Sequence, residues 1–135
     1  MSNKKYIFPK SNRLKSRKKL QQIFAEGKSA RAENVRIVYL VEKNTTTELK
    51  CGVGLTTKFF KNAVDRNRIK RLLREAYRLQ QQPLLDYTSQ TRICLSIFIL
   101  FTGKELPTYA PLYDNVGIAL RKLVKTLHAT GTENT

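Results

Sequence analysis

Asn62–Leu79 reads Asn-Ala-Val-Asp-Arg-Asn-Arg-Ile-Lys-Arg-Leu-Leu-Arg-Glu-Ala-Tyr-Arg-Leu, and two patterns run through it at once. Ile69, Leu72, Leu73 and Ala76 recur at i, i+3, i+4 and i+7, one apolar stripe along a helix. At about 100° per residue, Asn67, Lys70, Arg71, Arg74 and Arg78 fall on the opposite arc, and Arg66 and Arg68 flank the stripe. Asn62 is placed to cap the start, with Asp65 as a favourable charge in the first turn. Neither Gly nor Pro interrupts the run before Pro83, which limits the helix. One face must therefore be buried while the other presents a row of guanidinium groups. Four of the seven residues 66–72 are cationic. The helix tolerates like-charge neighbours at Arg66/Lys70, Lys70/Arg74 and Arg74/Arg78. A solvated face has no need of so much repulsion. Arg forks match phosphate oxygens bidentately, so the pattern points to a polyphosphate partner.

The same residues carry a resemblance. Arg66-Asn67-Arg68-Ile69-Lys70-Arg71-Leu72, followed by Arg74-Glu75-Ala76-Tyr77-Arg78, resembles the arginine-rich motif of the bacterial ribonuclease P protein subunit. Arg13-Leu14-Lys15, Ile23-Phe24 and Gly27-Lys28-Ser29 are similar to the start of that family, in which Leu20 is often Phe.

The chain as a whole fits a single RNA-binding domain. Its 135 residues suffice for one core, and a formal net charge of +16 implies a polyanionic partner. Lys4 and Lys5 are followed by no long apolar run, so no signal peptide is expected. Ile93–Phe101 is too short to span a bilayer, and the expected location is cytoplasmic, with no membrane partner. Cys51 and Cys94 sit among apolar neighbours and read as buried free thiols. Residues 1–31 hold ten cations against Glu26 alone. Residues 1–12 read as a basic arm, 13–128 as the domain and 129–135 as a disordered tail.

Along the domain, Ser16 is placed to cap a short helix with Leu20, Ile23 and Phe24 on its thin apolar stripe and Gly27 as its stop. Val35–Lys43 alternates as a strand, Asn44–Thr47 is a turn, and Leu49–Thr57 is a second strand. In that strand Gly52 and Gly54 share the face opposite Leu49, Cys51, Val53 and Leu55, where another group can approach closely. Phe59 and Phe60, in the loop that feeds the arginine helix, read either as core plugs or as exposed stacking surfaces. Gln80–Gln90 is expected to be a polar connection. Thr91–Thr102 is apolar on both faces, which predicts a central strand covered on both sides. Gly103–Pro111 reads as a loop before a last helix marked by Val116, Leu120, Leu123, Val124 and Leu127, with Arg121, Lys122 and Lys125 on its wet side.

The pattern is α+β in a single domain. The resemblance implies more: αβββαβα order, a central mixed sheet and a left-handed β-α-β crossover, where periodicity alone gives the right-handed default.

No cluster of His, Cys or acidic residues has metal-ligand spacing, and His128 is the only histidine. Asp65 and Glu75 are explained by helix-end and ion-pair effects, so no catalytic residue and no protein metal site is expected. The resemblance implies that the chemistry belongs to an RNA subunit using Mg²⁺ to remove the 5′ leader of precursor tRNA. Carried over, Arg66, Asn67, Arg68, Lys70, Arg71, Arg74 and Arg78 would contact the catalytic RNA. Leu20, Phe24, Tyr39 and Lys58 would line a leader-binding cleft, Leu20 without a stacking face, while Phe24 and Tyr39 read equally as ordinary core packing. The implied partners are the ribonuclease P RNA and precursor tRNA, with one protein per RNA subunit. A small basic ribosomal protein would share the charge and the lack of catalytic groups. A DNA-binding module using the arginine helix is a further alternative, although no helix-turn-helix pair precedes that helix.

Overall fold

The computed structural model describes residues 17–43 and 46–133, with side chains as far as Ala129. The arm at 1–12, the Ser16 cap and the first half of the turn at 44–47 lie outside those residues. Helix α1 (Arg17–Glu26) is followed by strands β1 (Lys28–Ala32), β2 (Val35–Glu42) and β3 (Glu48–Leu55). A 3-10 turn at Thr57–Phe59 then leads into α2 (Ala63–Gln80), α3 (Gln82–Thr91), β4 (Cys94–Phe101) and α4 (Tyr109–Glu133). This is one α+β domain with a four-stranded mixed sheet in the order β1-β2-β4-β3. β1–β2 and β2–β4 pair antiparallel, while β3 and β4 run parallel and are joined through α2 and α3.

Register sorts the side chains onto two faces, because successive residues of a strand point to opposite sides. Val35, Ile37, Tyr39 and Val41 align with Phe101, Ile99, Ile97 and Leu95. Those β4 residues align in turn with Leu55, Val53, Cys51 and Leu49. This face packs on α2 and α4, and together they hold the main core, in which Ile37, Leu95, Ile97, Ile99, Ile69, Leu73 and Leu123 are fully buried. On the other face Val38 aligns with Phe98 and Gly52, and Arg36 with Leu100 and Gly54. Helix α1 lies there, with Ile23 wholly buried and Lys19 Nζ 2.6 Å from Glu42 Oε1. Gly27 ends α1 where a Cβ would stand 2.5 Å from the Tyr39 carbonyl oxygen and closer still to that of Ile23. Only glycine fits so tight an exit from helix into strand.

The central position expected for the last strand is found: β4 lies between β2 and β3. Three readings need correction. The polar connection at Gln80–Gln90 is instead helix α3, with Leu84, Tyr87 and Thr88 buried. Pro83 does end α2 near Gln80, but it also sits in the first turn of α3, where its missing N–H leaves no hydrogen bond unmade. Second, α4 begins at Tyr109, taking Pro111 into its first turn for the same reason. Third, α4 runs on to Glu133, so the tail expected to be disordered from 129 is helical to that point. Propagation adds a hydrogen bond per residue once the packed turns ending at Leu127 have nucleated the helix.

Candidate nucleic-acid interface

Helix α2 is positioned from its apolar side. Ile69, Leu73, Ala76 and Tyr77 are buried, whereas Leu72 is only partly so. Tyr77 therefore completes the stripe that the i, i+3, i+4 pattern had assigned to Leu72, a rotation of less than one residue. Asn62 Oδ1 accepts the Val64 N–H at 2.8 Å, as expected of the cap. Below the helix, burial pushes the Cys51 thiol well above its ordinary pKa, opposed by the Arg74 guanidinium. The sulfur is held as a neutral thiol and is inert. Cys51 and Cys94 are both buried and unpaired.

The cations of α2 divide into two sets. Arg66 Nη1 donates to the carbonyls of Phe60 (3.0 Å) and Lys61 (2.7 Å), stapling the incoming loop to the helix. Arg78 holds Glu75, with Nη2–Oε2 at 2.6 Å and Nε–Oε1 at 3.0 Å. That hydrogen bond pulls the Glu75 carboxyl below its usual range. Asn67, Arg68 and Arg71 are exposed, and Lys70 and Arg74 are half-exposed. Among the described residues none of these five side chains makes a hydrogen bond or an ion pair. The seven residues assigned to RNA contact thus form one helix face, on which Arg66 and Arg78 also brace the scaffold. A rigid helix with outward guanidinium groups is suited to gripping phosphates.

The four residues assigned to a leader cleft are not brought together. Leu20 and Phe24 are one turn apart on α1, Leu20 half-buried and Phe24 45% exposed. Tyr39 lies on the opposite face of the sheet in the main core, 4% exposed, and burial raises its hydroxyl pKa. Strand parity made this legible, since Tyr39 shares the face of Ile37. Lys58 lies over Phe59, its Nζ 5.7 Å from the ring centroid. What Phe24 does meet is Phe98, edge-on at 5.5 Å between centroids. A Cβ on Gly54 would stand 2.5 Å from Phe98 Cζ, so the glycine makes room for that ring. At Gly54 the close approach expected of the glycine pair is a phenyl ring. Beside it Arg36, half-buried, has a buried Nε with no hydrogen-bond partner. Phe98 and Arg36 are candidates the sequence reading did not name; the signal was their shared parity with the two glycines.

Among the described residues no group of three or more His, Cys, Asp or Glu side chains gathers to hold a metal ion. No described helix is long and apolar enough to cross a membrane. His128 is exposed, with its ring edge-on to Tyr87 at 4.8 Å.

Comparison with known proteins bears on both the motif and the fold. The family described as Ribonuclease P matches residues 8–123. The ribonuclease P protein component of Porphyromonas gingivalis is 37% identical over 126 residues, covering 93% of this chain and 92% of that protein. The component from Methylococcus capsulatus is 37% identical over 89 residues, 64% of this chain and 68% of its own length. The fold is similar to the solved structure of the Staphylococcus aureus ribonuclease P protein, with a TM-score of 0.67 and 20% identity over 84% of this chain and 96% of that one. The α+β fold described above is thus shared with a solved ribonuclease P protein. The chain belongs to the ribonuclease P protein family.

Proposed function

We propose that this chain is the RNA-binding protein subunit of ribonuclease P, acting in the cytoplasm with one copy per catalytic RNA. The observation that carries the reading is the outward row Asn67, Arg68, Lys70, Arg71 and Arg74 on a helix whose other face is locked into the core. These groups grip phosphates of the catalytic RNA. The half-open sheet face at Phe24, Phe98 and Arg36 receives the single-stranded 5′ leader of precursor tRNA, with aromatic edges tolerant of base identity and a guanidinium for a phosphate. No step of bond cleavage is assigned to a side chain here. Mg²⁺ acts on the RNA subunit, and no residues of this chain are assigned to hold it. The protein's positive charge offsets repulsion between two RNA molecules, which lowers the Mg²⁺ they need.

The test is single-turnover cleavage of precursor tRNA by a bacterial ribonuclease P RNA at low Mg²⁺, with and without the chain. Wild type should stimulate cleavage. Arg68→Ala and Arg71→Ala should weaken binding to the catalytic RNA, each lowering the salt slope by roughly 0.7–0.9. No stimulation by the folded wild type, or unchanged RNA affinity in both variants, overturns the assignment.

A further inference from the structure

Two adjacent phenylalanines in the loop before α2 have opposite environments. Phe60 is 5% exposed, with its ring 6.1 Å from that of Phe101, and plugs the end of the core. Phe59 is 42% exposed at the end of the 3-10 turn. Two ammonium groups from different loops stand at its ring: Lys58 Nζ and Lys104 Nζ, each 5.7 Å from the centroid. Lys104 comes from the β4–α4 connection, which also carries Leu106, 47% exposed. Lys61 is exposed next in the chain, and Val64, 72% exposed, opens the arginine helix. Three of the five large hydrophobic side chains that remain exposed among the described residues (Phe59, Val64 and Leu106) therefore lie in the segments that meet at this end of the sheet.

Chemistry narrows the occupant. An acidic peptide would engage the lysines and leave the ring unused. An apolar partner would cover the ring but strip water from three ammonium groups without pairing them. A nucleotide satisfies both, its base on the ring and its phosphate on an ammonium. We propose that Phe59, with Lys58 and Lys104, is a stacking platform for one unpaired nucleotide of the RNA gripped by α2. The proposal rests on the RNA-binding reading above and extends it from the phosphate backbone to a base. On binding, one ammonium leaves the ring face for the flanking phosphate and the base takes its place.

The sequence contains no tryptophan, so Phe59→Trp in the full chain introduces a single indole reporter. The protein is titrated with a bacterial ribonuclease P RNA, with single-stranded oligoadenylate and with an abasic strand of equal length. Oligoadenylate should quench the indole and the abasic strand should not. Phe59→Ala should weaken oligoadenylate binding by about fivefold or more, the lower end of base–aromatic stacking, and leave the abasic strand unaffected. Equal quenching by both strands, a silent indole, or a smaller loss in Phe59→Ala overturns the platform. A silent indole in a protein that still binds the catalytic RNA through Arg68 and Arg71 removes the platform alone. If wild type does not bind the catalytic RNA, the function proposed above falls and the platform falls with it.

Discussion

On the sheet face toward α2 and α4, Val35, Ile37, Leu95, Ile97 and Ile99 have no exposed surface at all. Toward α1 the same three strands present Arg36, Lys50, Gly52, Gly54 and Phe98, and the ten-residue helix above them buries Ile23 alone. One face has the close-packed interior on which stability depends. The other keeps an aromatic pair, a partnerless guanidinium nitrogen and a glycine, Gly54, that makes room for the Phe98 ring. A strand apolar on both sides thus serves two ends, because its two covers differ in size. Long α2 and α4 anchor it, and short α1 leaves room.

The largest expected difference between the faces is in folding. Ile99→Ala empties a fully buried site and should cost roughly 2–5 kcal/mol, whereas Leu100→Ala, on the half-open face, should cost less than half as much. Denaturant midpoints at unchanged m-value measure both. Equal losses would break the comparison, since the α1 face would then be core as well.

A second substitution sharpens it. Gly54→Ala sets a methyl group where the Phe98 ring lies, so the ring must move and its edge-on contact with Phe24 must change. Overpacking of this kind costs about 1–3 kcal/mol. Phe98→Leu in the same chain should recover part of that loss, a coupling that a double-mutant cycle reads directly. Additive effects would mean that the ring does not depend on the glycine.

Much of this is legible in the sequence. The phase of α2 followed from Ile69, Leu73 and Ala76, its cap from Asn62, and the centrality of β4 from its apolar character on both faces. Gly54 marked a close approach without naming the ring. Helix α3 was not legible, because Gln82, Asp86, Ser89 and Gln90 gave it a loop's composition and its buried positions are few. Only tertiary contact declares it: Tyr87 donates from its hydroxyl to the Leu127 carbonyl at 2.8 Å. Strand β1 was equally faint, since Lys-Ser-Ala-Arg-Ala at a sheet edge buries only Ala32. At the site, the guanidinium row was plain from spacing, but its division into bracing and free cations depended on loop carbonyls that come near only in the fold. The misplacement of Tyr39 has a simpler cause. The aromatic residue suited stacking as well as core packing, and strand parity, which sets it beside Ile37, decides for the core.

The smallest expected effect tests how firmly α1 is held. The helix is fastened to its face by one described ion pair, Lys19–Glu42, whose side chains are 28% and 27% exposed. Partly exposed pairs of this kind contribute about 0.2–1 kcal/mol, and salt screens them. Glu42→Gln should therefore lower global stability by less than about 1 kcal/mol. The difference from wild type should shrink at an ionic strength of about 1 M, where the Debye length is about 3 Å. Because the pair joins α1 to the sheet and touches none of the main core, amide exchange should quicken in α1 and stay unchanged in α2, α4 and β4. Faster exchange in β4 as well would show that both faces open as one unit. A loss above about 2 kcal/mol, unmoved by salt, would mean that Glu42 works through packing and that the α1 face is built more like the core than its exposure suggests.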